Sequence, residues 1–178
     1  MSGSTKQLFG GAITVTLPPR LIDASDLRQV PNTQEVFLYP DSGISIIVEV
    51  LQSVKPTNLE EAAKAHFDAL AHDNSAESQT ISEVVSTSTQ ADNLTPAPVL
   101  LSGSQAVRKF NSLTADEIRI LLALYRVQSK NADLVMSMNV PMSTANGEVV
   151  REEDWIAAKD AFNVAARSLR IVNIGLFA

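Results

Sequence analysis

FGGAITVTLPPRLIDASDLRQVPNTQEV, residues 9–36, is the stretch from which the rest of the chain can be read. Gly10-Gly11 separates Gln7-Leu8-Phe9 from Ile13-Thr14-Val15-Thr16-Leu17, and paired glycines supply the positive φ that a tight two-residue hairpin turn needs. Residues 7–17 are therefore expected to form a β-hairpin. Pro18-Pro19 then stops strand pairing, and Asp23-x-x-Asp26 reads as the capped start of a short helical turn that Pro31 ends.

Moving outward, residues 35–39 and 44–51 alternate as strands. They are joined through Pro40-Asp41-Ser42-Gly43, a type I turn composition with a glycine set for the left-handed position. Thr57-x-x-Glu60 is a capping box, and the helix it opens runs to about residue 72 with Leu59, Ala62, Ala63, Phe67 and Leu70 on one face. Residues 79–88, 99–110, 118–128 and 134–140 read as four strands of a meander, with a proline-bearing loop at 93–98 and a polar turn at 129–132. A second long helix begins at Asp154, carries the stripe Trp155, Ala158, Phe162, Ala165 and Leu169, and leads to a short extended tail at 171–174.

Two amphipathic helices need apolar surfaces, and one antiparallel sheet offers two faces. The expected fold is α+β, a single domain over residues 1–178 with residues 1–6 outside its ordered part.

Composition narrows the function by exclusion. The 178 residues suffice for one domain with a sound core, and the apolar (45%) and charged (19%) fractions are those of a globular, soluble protein. With no cysteine there is no disulfide, thiol catalysis or cysteine–zinc site. A net charge of -6 opposes nucleic-acid binding, which needs cations to neutralise phosphates, and suits a basic protein partner. The strongest apolar run, Ile120-Leu121-Leu122-Ala123-Leu124, falls far short of the ~18 residues of a membrane span, so no membrane association is expected. Residues 1–6 do not read as a secretory leader, and no cluster of Lys and Arg forms a nuclear address.

Signatures of catalysis are nearly absent. Neither a GxxxxGK(S/T) phosphate loop nor a GxSxG nucleophile elbow occurs. His66 and His72, the two histidines, stand six apart on one helix and so on different faces; a core-edge His66 and a solvated His72 are expected, without metal or cofactor. Trp155 and Phe162 read as helix packing, Ser102-Gly103-Ser104 as a strand irregularity, and Arg151-Glu152-Glu153-Asp154 as the acidic first turn of a helix. What remains is the surface of residues 23–35 together with Glu49. Each member has a purely structural reading: Asp23 and Asp26 cap a turn, Arg28 pairs with one of them, and Asn32 closes the turn after Pro31. Glu49 interrupts the apolar run Ile46-Ile47-Val48-Glu49-Val50-Leu51, and a carboxylate there must reach water or a partner.

The same stretch resembles the Ran guanine-nucleotide release factors, in fungi the Mog family, which carry GGAI, PP, IDAS, LR, VP and TQEV in this order and spacing. Ser45-Ile46-Ile47-Val48-Glu49 and Leu176-Phe177-Ala178 also fit, and the likeness thins between residues 74 and 111. The resemblance implies an α/β/α sandwich around a largely antiparallel sheet of about six or seven strands, the PsbP-like fold. It implies a monomer that binds the GTPase Ran, promotes release of its guanine nucleotide and holds the emptied protein. It places Asp23, Asp26, Arg28, Pro31, Asn32, Gln34, Glu35 and Glu49 on or near the binding face. Asn32 and Gln52 stand where the family commonly has an acidic residue, which removes two possible negative charges. Nuclear residence with some cytoplasmic pool is also implied, and at 19.2 kDa the chain is small enough to cross nuclear pores without an address. Two rivals remain: a binding module of the PsbP-like fold with a different protein partner, and an enzyme acting on a small ligand in a sheet–helix pocket.

Overall fold

Strand β1 (Ser4–Leu8) pairs antiparallel with β2 (Ile13–Leu17), Leu8 opposite Ile13. The structure, a computed structural model, describes residues 3–88, 90–109, 113–144 and 149–177. The hairpin turn is wider than two residues. It uses Phe9, Gly10, Gly11 and Ala12, the first three with φ of 51°, 68° and 96°. A Cβ on Gly10 would meet open space, so the glycine is required for its dihedral rather than for room. The ordered part also begins earlier than expected, because Ser4, Thr5 and Lys6 pair with Leu17, Thr16 and Val15. Their polar side chains conceal a strand whose partner supplies the apolar face. Residues 1–2 lie outside the described residues.

After the prolines come β3 (Ile22–Asp23), a 3-10 turn at Ala24–Asp26, β4 (Gln34–Leu38) and β5 (Ser45–Gln52). Gly43, in the turn between β4 and β5, has no left-handed φ. Crowding explains it instead, since a Cβ there would lie 2.9 Å from Pro141 Cγ. Helix α1 (Leu59–Asp73) follows, and Asn58 rather than Thr57 caps it, its Oδ1 accepting from Glu61 N at 3.0 Å. The meander is β6 (Ser78–Ser86), β7 (Val99–Val107), β8 (Asp116–Val127) and β9 (Ala132–Ser143). Expected strand residue Phe110 lies outside the described residues. Helix α2 (Glu152–Ser168) opens on Glu152, Glu153 and Asp154, and β10 (Arg170–Ile171) returns to β2. Beyond it the expected extended tail gives way to a 3-10 turn at Ile174–Phe177.

The main sheet has seven strands in the order β3-β4-β5-β9-β8-β7-β6, all antiparallel, and β1-β2-β10 form a second, smaller sheet. Alternation along β8 explains the layering. Leu121, Ala123 and Tyr125 join Ala158, Phe162 and Ala165 of α2 and the inner side of the hairpin. Ile120, Leu122 and Leu124 face Ala62, Ala63 and Phe67 of α1 on the other side. Helices therefore cover both faces, as an α/β/α sandwich requires, and the small sheet shares the α2 layer. Where α1 crosses β7 a Cβ on Gly103 would stand 2.5 Å from Thr80 O and 2.8 Å from Phe67 Cζ. The strand irregularity expected at Gly103 falls on its neighbour, where Ser82 bulges between Ile81 and Glu83 of β6.

Candidate functional site

The turn after β3 is built by Asp23, whose Oδ1 accepts from Ser25 N at 2.9 Å and from Ser25 Oγ at 2.7 Å. Ala24 is fully buried, and its carbonyl accepts from both Leu27 N and Arg28 N at 3.0 Å. The helical turn thus closes at Leu27, four residues before Pro31. Pro31 instead starts the next one, its carbonyl accepting from Gln34 N at 3.0 Å. Asp26, Arg28, Pro31 and Asn32 are exposed, and Asp23, Gln34, Glu35 and Glu49 are half-buried. Among the described residues Arg28 forms no ion pair with Asp23 or Asp26, so its structural reading fails.

Strand register divides the candidates between two sides. Gln34 stands opposite Glu49, and the two share the sheet face on which α1 packs further along. Gln34 Nε2 donates to Glu49 Oε2 at 2.7 Å, which orients the carboxylate without neutralising it. Glu35 stands opposite Val48 on the other face, where its Oε2 accepts from Phe9 N at 3.3 Å and holds the hairpin turn. Asp23 stands opposite Phe37 on that same face. Burial pushes the Glu35 carboxyl above the usual glutamate range; the Phe9 N–H opposes this and the nearby Asp23 charge adds to it. The eight residues therefore gather at one edge of the sheet but wrap around it, with the exposed turn between them.

Sequence reasoning missed two features. Leu27 is 67% exposed in the middle of this charged turn. The other is a buried network: Asp133, fully buried, accepts from Arg126 Nε at 2.8 Å and Nη2 at 3.0 Å, lies 2.7 Å from His66 Nε2, and accepts from Val54 N at 3.2 Å. Arg126 also donates to the carbonyls of Val54 and Pro56. Burial alone would raise the Asp133 carboxyl, but the bonds from His66, Arg126 and Val54 N outweigh it and hold the group well below the carboxylate range. His66 is buried, as a core-edge histidine should be, and its work is to help clamp the β5–α1 connection.

A cavity of about 920 Å³ opens between the β4–β5 turn and the start of α2, beside Tyr39, Pro141, Arg151 and Asp154. None of the eight candidates lines it. Among the described residues no three His, Cys, Asp or Glu side chains are grouped to hold a metal, and no helix is long and apolar enough to cross a membrane.

Fold and site together define an α+β protein, one helix on each face of a seven-stranded antiparallel sheet, with charged and amide groups wrapped around one sheet edge. The chain belongs to the Ran-interacting Mog1 protein family, whose model matches residues 6–141 and so includes every candidate residue. It is 30% identical to the Ran guanine nucleotide release factor of Danio rerio over 97% of this chain and 99% of that protein. Against the nuclear import protein MOG1 of Saccharomyces cerevisiae it is 29% identical, covering 100% of this chain and 86% of that one. The crystal structure of the Saccharomyces cerevisiae Ran-binding protein Mog1p superposes with a TM-score of 0.77 at 28% identity, each chain covered fully.

Proposed function

We propose that this chain binds Ran and promotes release of its bound guanine nucleotide, in the service of protein import into the nucleus. The observation that carries this is the near full-length match to relatives named as Ran guanine nucleotide release factors. The chain acts by binding rather than by covalent catalysis, as a monomer resident in the nucleus with some cytoplasmic pool, and without nucleic acid or membrane. A protein that holds the empty GTPase more tightly than the loaded one weakens nucleotide binding by the same factor. Small GTPases hold phosphate and magnesium through a lysine, backbone donors and metal-ligating side chains. Acidic groups of this chain compete for those positive partners or draw a switch segment away, and the pocket opens.

The binding face is the edge occupied by Asp23, Asp26, Arg28, Pro31, Asn32, Gln34, Glu35 and Glu49. Because Glu35 and Glu49 stand on opposite sheet faces, Ran straddles the edge to reach both. The direct test loads Ran with a fluorescent guanine nucleotide and follows its release in excess unlabelled nucleotide. Acceleration that scales with the concentration of this protein is the expected result; absence of both acceleration and binding would overturn the reading.

A further inference from the structure

Among the exposed large apolar side chains of the described residues, Leu27 alone lies within the edge that carries the candidate groups. A single exposed leucine is ordinary on a protein surface and by itself asks for no explanation. Four observations separate this one from the ordinary case. Its backbone is held at both ends of the turn, by the Asp23 carboxylate on Ser25 and by the Leu27 and Arg28 amides on the Ala24 carbonyl. Ala24 is fully buried, so the turn that carries the Leu27 backbone is rooted in the fold. Its φ and ψ of -111° and -28° are those of an unstrained right-handed turn, so the backbone can keep this conformation when the side chain is covered by a partner. Finally, exposed Asp26 and Arg28 flank it, and Asp23 caps the same turn.

An apolar side chain on a fixed backbone, with charged residues on either side of it in the turn, has the anatomy of an interface anchor: it buries apolar area at the centre while rim charges govern approach. Pre-organisation adds to this, since little chain freedom is lost on binding. Resting on the proposed function, we propose that Leu27 is the apolar anchor of the Ran-binding edge. Its side chain enters an apolar hollow on Ran, and the acidic groups around it meet basic groups at the rim. The net charge of -6 agrees with a basic partner surface.

The experiment measures binding of the full chain to nucleotide-free Ran, with association and dissociation rates resolved, for wild type, Leu27→Ala, Leu27→Met and a control at an exposed site elsewhere, Val172→Ala. Circular dichroism melting of each variant accompanies it. Leu27→Ala should raise the dissociation rate about tenfold or more and leave the association rate and melting temperature unchanged, as loss of a buried anchor does. Leu27→Met, which keeps the volume, should restore most of the affinity, and Val172→Ala should bind like wild type. Wild-type affinity in a folded Leu27→Ala protein overturns the anchor while leaving the Ran reading intact. Failure of the wild type itself to bind Ran overturns both.

Discussion

Glu35 and Glu49 carry the same charge from opposite sides of one sheet edge, and their environments predict different behaviour. Glu49 is oriented by Gln34 and half-buried; Glu49→Lys should abolish stimulated nucleotide release while the melting temperature stays near wild type, and retained activity would remove Glu49 from the site. Desolvation raises the Glu35 carboxyl above its unfolded value, so the folded state holds the extra proton and Glu35 disfavours folding increasingly as pH rises through its folded pKa. Glu35→Gln keeps an acceptor for Phe9 N but no charge. Urea unfolding from about pH 4 to about pH 7 should show the variant gaining on wild type as pH rises, and a gap that narrows instead would refute the assignment. Asp133 has the opposite sign: its depressed pKa gives stability present above the usual aspartate value and lost as pH falls toward the folded one. Asp133→Ala leaves Arg126 buried without its counter-charge and should cost about 3–5 kcal/mol in urea unfolding. Neither group's environment was legible from residue order. Asp133 follows a polar turn and its histidine partner is 67 positions away, so only the β8–β9 register that sets Arg126 opposite Asp133 reveals the network.

Elements were easier to read than their ends. Both helices, the hairpins and the meander are where periodicity of 3.6 or 2 places them, because buried stripes repeat over many residues and outvote any single position. Boundaries depend on one or two side chains, and there the structure departs from the sequence pattern: Asn58, not Thr57, caps α1, and the first turn spreads over four residues because Phe9 also adopts positive φ. Two substitutions test these ends and contacts. Asn58→Ala should destabilise by about 1 kcal/mol, the usual worth of a side-chain cap. Gly103→Ala drives a methyl into the Thr80 carbonyl and the Phe67 ring, and α1 can remain seated only by shifting; a loss of about 1–3 kcal/mol is expected in urea unfolding. Since Gly103 sits on β7, three strands away from β5, Ran release at a temperature where the variant stays folded should be unaffected.

For the whole molecule, the fold class followed from the sequence because two amphipathic helices and a run of strands leave few ways to bury every apolar face. Placement of the proposed binding edge did not follow so directly: the family motif picks out residues 23–35, but which of them share a face depends on the pairing of β3, β4 and β5. The net charge of -6 makes a further prediction. Association with Ran should slow as salt rises, while dissociation changes little, because rim charges steer encounter over a screened distance. A salt-independent association rate in stopped-flow mixing would contradict charge steering. The strand at this border of the sheet, β3, is two residues long. It faces only Phe37 and Leu38 of β4, so the unpartnered border beyond it is just Gln34, Glu35 and Val36, a short stretch for a visiting extended segment to zip onto as an added strand. If the proposed edge binds Ran, side chains against a folded surface should dominate recognition, and a linear peptide excised from Ran should be a poor competitor for the intact GTPase.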